Sequence, residues 1–214
     1  AAGSLSVGHG SRWYPLCQAV VFCCATPLRT FFLVYVAYLG LAVWSIVVLL
    51  RATDLAAFGA WLSPRLPARS IAGFTLTIAA LNAYAWLAQI IPAVLSSKPT
   101  SLLGDTGLIT NPVFVQDLAI WLPLMITAAI ASWHRQAWGV LVTGGMLTMF
   151  VLESIGIATD QWFGSQAAPL SRAASMSMVP AFAGLALITL VPLLWYCQNL
   201  IRPFDHSRTG RTND

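Results

Sequence analysis

Charge is scarce in this sequence. Only 8% of its 214 residues are charged, and 58% are hydrophobic. A water-soluble domain usually carries about a quarter charged residues, because its surface must be polar somewhere. A chain this poor in charge, with a mean hydropathy of +0.76, excludes an ordinary soluble fold. Cysteine is also sparse. Cys17, Cys23, Cys24 and Cys197 form no C-x-x-C pair, so neither a disulfide framework nor a zinc site is expected. The histidines His9, His134 and His206 fall outside the apolar runs, which excludes a haem held by two intramembrane histidines. The only lysine, Lys98, also falls outside them, which excludes a retinal Schiff base. No P-loop, H-E-x-x-H or G-x-S-x-G motif is present. No cofactor, no metal and no catalytic residue is therefore expected. Nor is a signal peptide, since no basic stretch, apolar core and small-residue cleavage site follow in order.

What the sequence does have is long apolar runs. About 20 largely apolar residues are needed for a helix to cross about 30 Å of hydrocarbon. Five runs reach that length, at residues 30–50, 70–95, 112–133, 137–158 and 176–201. A sixth, 13–26, is apolar but short, bracketed by Pro15 and Pro27, and is expected to be embedded in the membrane without being an ordinary span. Barrel strands would alternate apolar and polar residues over about ten positions; residues 31–50 are apolar nearly all round. In lipid each backbone N–H and C=O must find a partner within its own segment, which a helix provides. The expected fold is all-α: one transmembrane domain over residues 1–214, an integral membrane helical bundle of five long helices plus the short N-terminal segment. Pro92, Pro123, Pro180 and Pro192 lie within spans and are expected to bend them.

The net charge of +4 points to topology and not to nucleic acid. Arg51, Arg65, Arg69, Arg135, Arg202, Arg208 and Arg211 fall on one side of the alternating spans, and Arg29, Lys98 and Arg172 on the other. Basic residues are retained in the cytoplasm, so the C-terminus is expected there. The loops around Asp105 and Asp160 are then outside. Trp133 and Trp138 flank the turn His134-Arg135-Gln136 at the inner face, and Trp162 marks the outer one, where amphipathic rings favour the interface.

Two carboxylates interrupt the apolar runs, Asp117 and the single glutamate, Glu153. An acid at the centre of a membrane helix costs about 2.5–3.5 kcal/mol on insertion scales, so it usually turns inward and often serves function. Asp117 precedes Arg135 by 18 residues and Glu153 follows it by 18. In an antiparallel hairpin turning at Arg135 they reach one level, roughly 8 Å below the outer end at about 1.5 Å per residue. Gln89, Tyr35 and Tyr38 come to a similar depth, and Asn82 lies deeper. Together these residues outline an outward pocket for a proton or a cation. The plainer alternative is structural: Asp117 caps the start of its helix, and Glu153 bonds a neighbouring Ser, Thr or Trp.

Three function classes follow: a small proton- or cation-linked transporter, a non-catalytic binding or assembly subunit, and a lipid-acting membrane enzyme. The second would use small residues for close helix packing, Ala79 and Ala83 in the second span and Gly139, Gly144 and Gly145 in the fourth, either internally or against a partner or a second copy. The third would need Lys98, Asp105, Asp160 and Arg172 to converge outside. Asp105-Thr106-Gly107 has the D-T-G of aspartic proteases, but that chemistry needs two such loops, and a tight turn is the ordinary reading.

The run Gly104-Asp105-Thr106-Gly107, Thr110-Asn111-Pro112-Val113, Asp117-Leu118 and Pro123, followed by the turn His134-Arg135-Gln136-Ala137-Trp138-Gly139, resembles a group of uncharacterised bacterial multi-pass membrane proteins. Residues 31–37 are similar as well. The resemblance covers about half the chain and implies a bacterial inner-membrane helical bundle. It implies no activity.

Overall fold

The computed structural model describes residues 13, 15–16, 32–96, 111–167 and 174–200. Most of the short segment at 13–26, together with Lys98, Asp105, Arg172 and the C-terminal tail, lies outside them. The chain is all-α, with helices α1 (Phe32–Ala52), α2 (Leu55–Trp61), α3 (Ala68–Leu95), α4 (Pro112–Trp133), α5 (Ala137–Ala167) and α6 (Val179–Asn199). A 3₁₀ turn, Met176–Met178, leads into α6. All but α2 are long and apolar enough to cross a membrane. This is the fold of a multi-pass α-helical membrane protein.

α5 is the central helix. Between Gly139 and Met149 it is buried on almost every side, as a helix apolar all round must be. α4 and α6 pack along it, and α3 packs on α4. The buried residues of α3 include Ala68, Ile71, Ala72, Thr75 and Ala79, which share one helical face. Large apolar side chains elsewhere, including Leu33, Leu41 and Trp44 on α1 and Leu187 and Val191 on α6, are exposed, as lipid-facing residues are. The hydroxyls of Thr75 and Thr148 donate to the carbonyls of Ile71 and Gly144 in their own helices, which lets polar residues sit in the core without an unmet donor.

Small residues close the helix crossings from within. Ala128 and Ala129 on α4 are wholly buried. A Cβ on Gly139 would lie 2.5 Å from the Ser132 backbone nitrogen and from Ala131 Cβ, so the hairpin α4–α5 requires glycine there. The close packing of Ala79 and the α5 glycines is internal to the chain.

The hairpin turn is held by Arg135, whose φ of 58° places it in the left-handed region costly to residues other than glycine. Its guanidinium donates to the carbonyls of Ser63 at 2.6 Å and Leu66 at 2.9 Å. Ser63 N–H in turn donates to Leu200 O at 3.0 Å. The start of α3, the α4–α5 turn and the end of α6 are thereby gathered at one end, with Phe58 of α2 buried beneath them.

Four expectations need correction. α5 runs on to Ala167 and does not stop near 158. At about 1.5 Å per residue its 31 residues span roughly 46 Å, well beyond the hydrocarbon, and residues 159–167 contain no proline to stop the helix. Asp160 accordingly stands exposed on helix and not in a loop. Pro180 sits in the first turn of α6, where a missing N–H costs nothing and no bend results. The start of α4 is capped by Asn111, whose Oδ1 accepts from Val113 N–H at 3.0 Å, and not by Asp117. α2 is an unexpected element, started by Asp54, whose carboxylate accepts from the N–H groups of Ala56 and Ala57.

Candidate functional site

The end of the bundle opposite the Arg135 turn is less filled. A cavity of about 380 Å³ lies there among α3, α4, α5 and α6. Asn82, Asp117 and Glu153 all line it, together with Trp86, Trp121 and Ser154. The hairpin α4–α5 thus brings both acids to one cavity, with Asn82 contributed from α3. Gln89 and Tyr35 do not line it. Gln89 is exposed and donates to Ala85 O in its own helix; Tyr35 is half-buried on α1, and Tyr38 is exposed there. Of the outer-loop candidates, Asp160 is exposed, and Asp105 lies outside the described residues. Among the described residues no three His, Cys, Asp or Glu side chains gather as metal ligands.

Asp117 is the most closely held of these groups. It is 9% exposed, and its Oδ2 accepts a hydrogen bond from Trp86 Nε1–H at 2.7 Å. The Asn82 side chain lines the same cavity nearby. Trp86 is itself set by Phe114, whose ring centroid lies 4.8 Å away. Sequence reasoning places Asn82 near the acids but misses Trp86; the available signal is that a buried carboxylate requires donors, and Trp86 lies one helical turn after Asn82.

The backbone at Asp117 is also unusual. Residues Asp117–Trp121 form a π-helical turn within α4, in which Leu122 N–H reaches back five residues to Asp117 O. Pro123 follows directly. A proline ring collides with the carbonyl four residues before it and leaves that carbonyl without a donor. Widening the preceding turn accommodates the ring, and π turns of this kind are frequent at functional sites. Trp121 at the end of the turn is 3% exposed and lines the cavity. Its indole Nε1–H is buried with no hydrogen-bond partner among the described residues. Trp13 packs edge-on against it, with centroids 5.4 Å apart.

Among the described residues no lysine or arginine lines the cavity. The described arginines, Arg51, Arg65, Arg69 and Arg135, belong to the opposite end, close to the α4–α5 turn or to the connections through α2. The fold and this cavity define the class: a multi-pass helical membrane protein with two acids in an interhelical cavity. The chain matches no protein-family model, no curated protein and no solved structure. The likeness to bacterial membrane proteins in residues 104–139 therefore gains no support from them.

Proposed function

We propose that the chain is a small transporter-like protein of the bacterial inner membrane whose cavity binds a proton or cation through Asp117 and Glu153. The observation that carries it is the Asp117 carboxylate, buried among four helices and fixed by Trp86, with a second acid in the same wall. An acid so placed is costly in a membrane. Asparagine would accept the same indole bond without that cost, so the charge itself is the feature to be explained. A carboxylate at an interhelical cavity can exchange a proton for another cation.

The test is made on the full chain reconstituted in vesicles with an internal pH dye. An imposed cation gradient should drive proton movement, and Asp117→Asn and Glu153→Gln should each abolish it. Cation binding should weaken as pH falls, because protonation removes the attracting charge. Wild-type and Asp117→Asn vesicles that behave alike would remove the proposal. In the orientation that fits the arginine distribution, the Arg135 turn and the C-terminus face the cytoplasm and the cavity faces outward. A phosphatase fused after Asp214 that is active in the periplasm would reverse that orientation.

A further inference from the structure

We propose that the ligand of this cavity is a protonated organic amine with an apolar body, not a bare metal ion. The ligand class presupposes that Asp117 and Glu153 form a cation site, and it follows from the rest of the wall. Sites for small organic molecules are cavities of about 300–1,000 Å³, mostly apolar, with a few placed polar groups. The cavity here, about 380 Å³, has Trp86, Phe150, Phe182, Met125 and Met149 in its lining beside the two acids.

A hard metal ion is badly served by such a wall. Calcium takes six to eight oxygen ligands, and magnesium demands a near-ideal octahedron. Two carboxylates, the Asn82 amide and the Ser154 hydroxyl, spread over three helices, do not replace that shell. An ammonium group needs less: one carboxylate and the face of an aromatic ring hold it, and the ring contact strengthens where water is excluded. Its apolar body fills the remainder of the cavity against Phe150, Phe182 and the methionines.

Equilibrium binding of radiolabelled amines to the full chain in lipid nanodiscs, corrected for empty nanodiscs, tests this directly. The probes are phenylpropylamine, its neutral analogue phenylpropanol and sodium. Phenylpropylamine should bind saturably, and phenylpropanol roughly tenfold more weakly. Asp117→Asn should weaken amine binding roughly tenfold. The comparison of amine with alcohol on the unaltered protein needs no variant to fold. Asp117-dependent binding of sodium without amine binding would overturn the ligand class and leave the cation site standing. Equal binding of amine and alcohol, unchanged by Asp117→Asn, would overturn both. No saturable binding of any amine would overturn the ligand class.

Discussion

The two ends of this helical bundle solve opposite problems. At the Arg135 end, helices meet so closely that glycine is required, Tyr196 is buried with its hydroxyl donating to Val140 O at 2.8 Å, and one arginine ties two loop carbonyls. At the Asp117 end the same helices enclose a cavity and widen a turn, and the Trp121 indole N–H has no partner among the described residues. The Arg135 guanidinium and the Tyr196 hydroxyl find their acceptors within the chain, and the Asp117 carboxylate lines the cavity at the other end. Stability and function are therefore expected to separate along the bundle axis.

That separation breaks first, if it breaks, at Gly139. Gly139→Ala forces a methyl group into the Ser132 backbone, and overpacking with nowhere to relax should cost about 3 kcal/mol. Gly40→Ala on α1 is the matched control: nothing lies within 4 Å of its Cβ, so the change should be neutral or slightly stabilising through helix propensity. The midpoint of unfolding in detergent measures both. Equal effects would mean that the hairpin contact is not the tight point it looks to be.

Arg135→Ala comes next, at about 2 kcal/mol, since two hydrogen bonds from a charged donor are lost but the guanidinium is partly solvated. Arg135→Gly separates the two roles of this residue, because it relieves the left-handed backbone while still losing the clamp. Glycine should recover part of the alanine loss, and not all of it. Tyr196→Phe removes one buried hydrogen bond and should cost about 1 kcal/mol. None of these three should change ligand binding in protein that remains folded.

The sequence makes the spans legible because length and apolarity are all that the hydrocarbon asks of a helix. It makes their ends less legible, for the same reason. Hydropathy falls after residue 158 because α5 leaves the lipid, yet nothing there stops a helix. Pro180 shows the converse, for proline ends one kind of helical position and suits another, and only its place in the first turn decides. The equal spacing of Asp117 and Glu153 about Arg135 suffices to bring both acids to one cavity, since hairpin geometry is local. Arg135 itself reads as one more positive charge, because its partners Ser63 and Leu66 lie about 70 residues away along the chain. The π turn is hidden too: Pro123 signals a disturbance, but whether the helix kinks, breaks or widens depends on how α3 and α5 hold it.

Apart from the Gly40 control, the smallest stability effect is expected at Asp117, and it sharpens the comparison most. Asp117→Asn keeps the side chain's shape and leaves an amide oxygen to accept the Trp86 bond. It loses the extra strength of a charge-assisted hydrogen bond. It also removes the cost of keeping a charge out of water. These terms oppose each other, so the unfolding midpoint should shift by less than about 1 kcal/mol in either direction. Trp86→Phe removes the donor instead, leaves the carboxylate buried with fewer partners, and should be the more damaging of the two. If Asp117 were a structural strut, the order would invert: Asp117→Asn would unfold the bundle as readily as Arg135→Ala, and ligand binding would fall only with folding. A folded Asp117→Asn protein that no longer binds a cation leaves the charge with one remaining role, the attraction of a positive partner into the cavity.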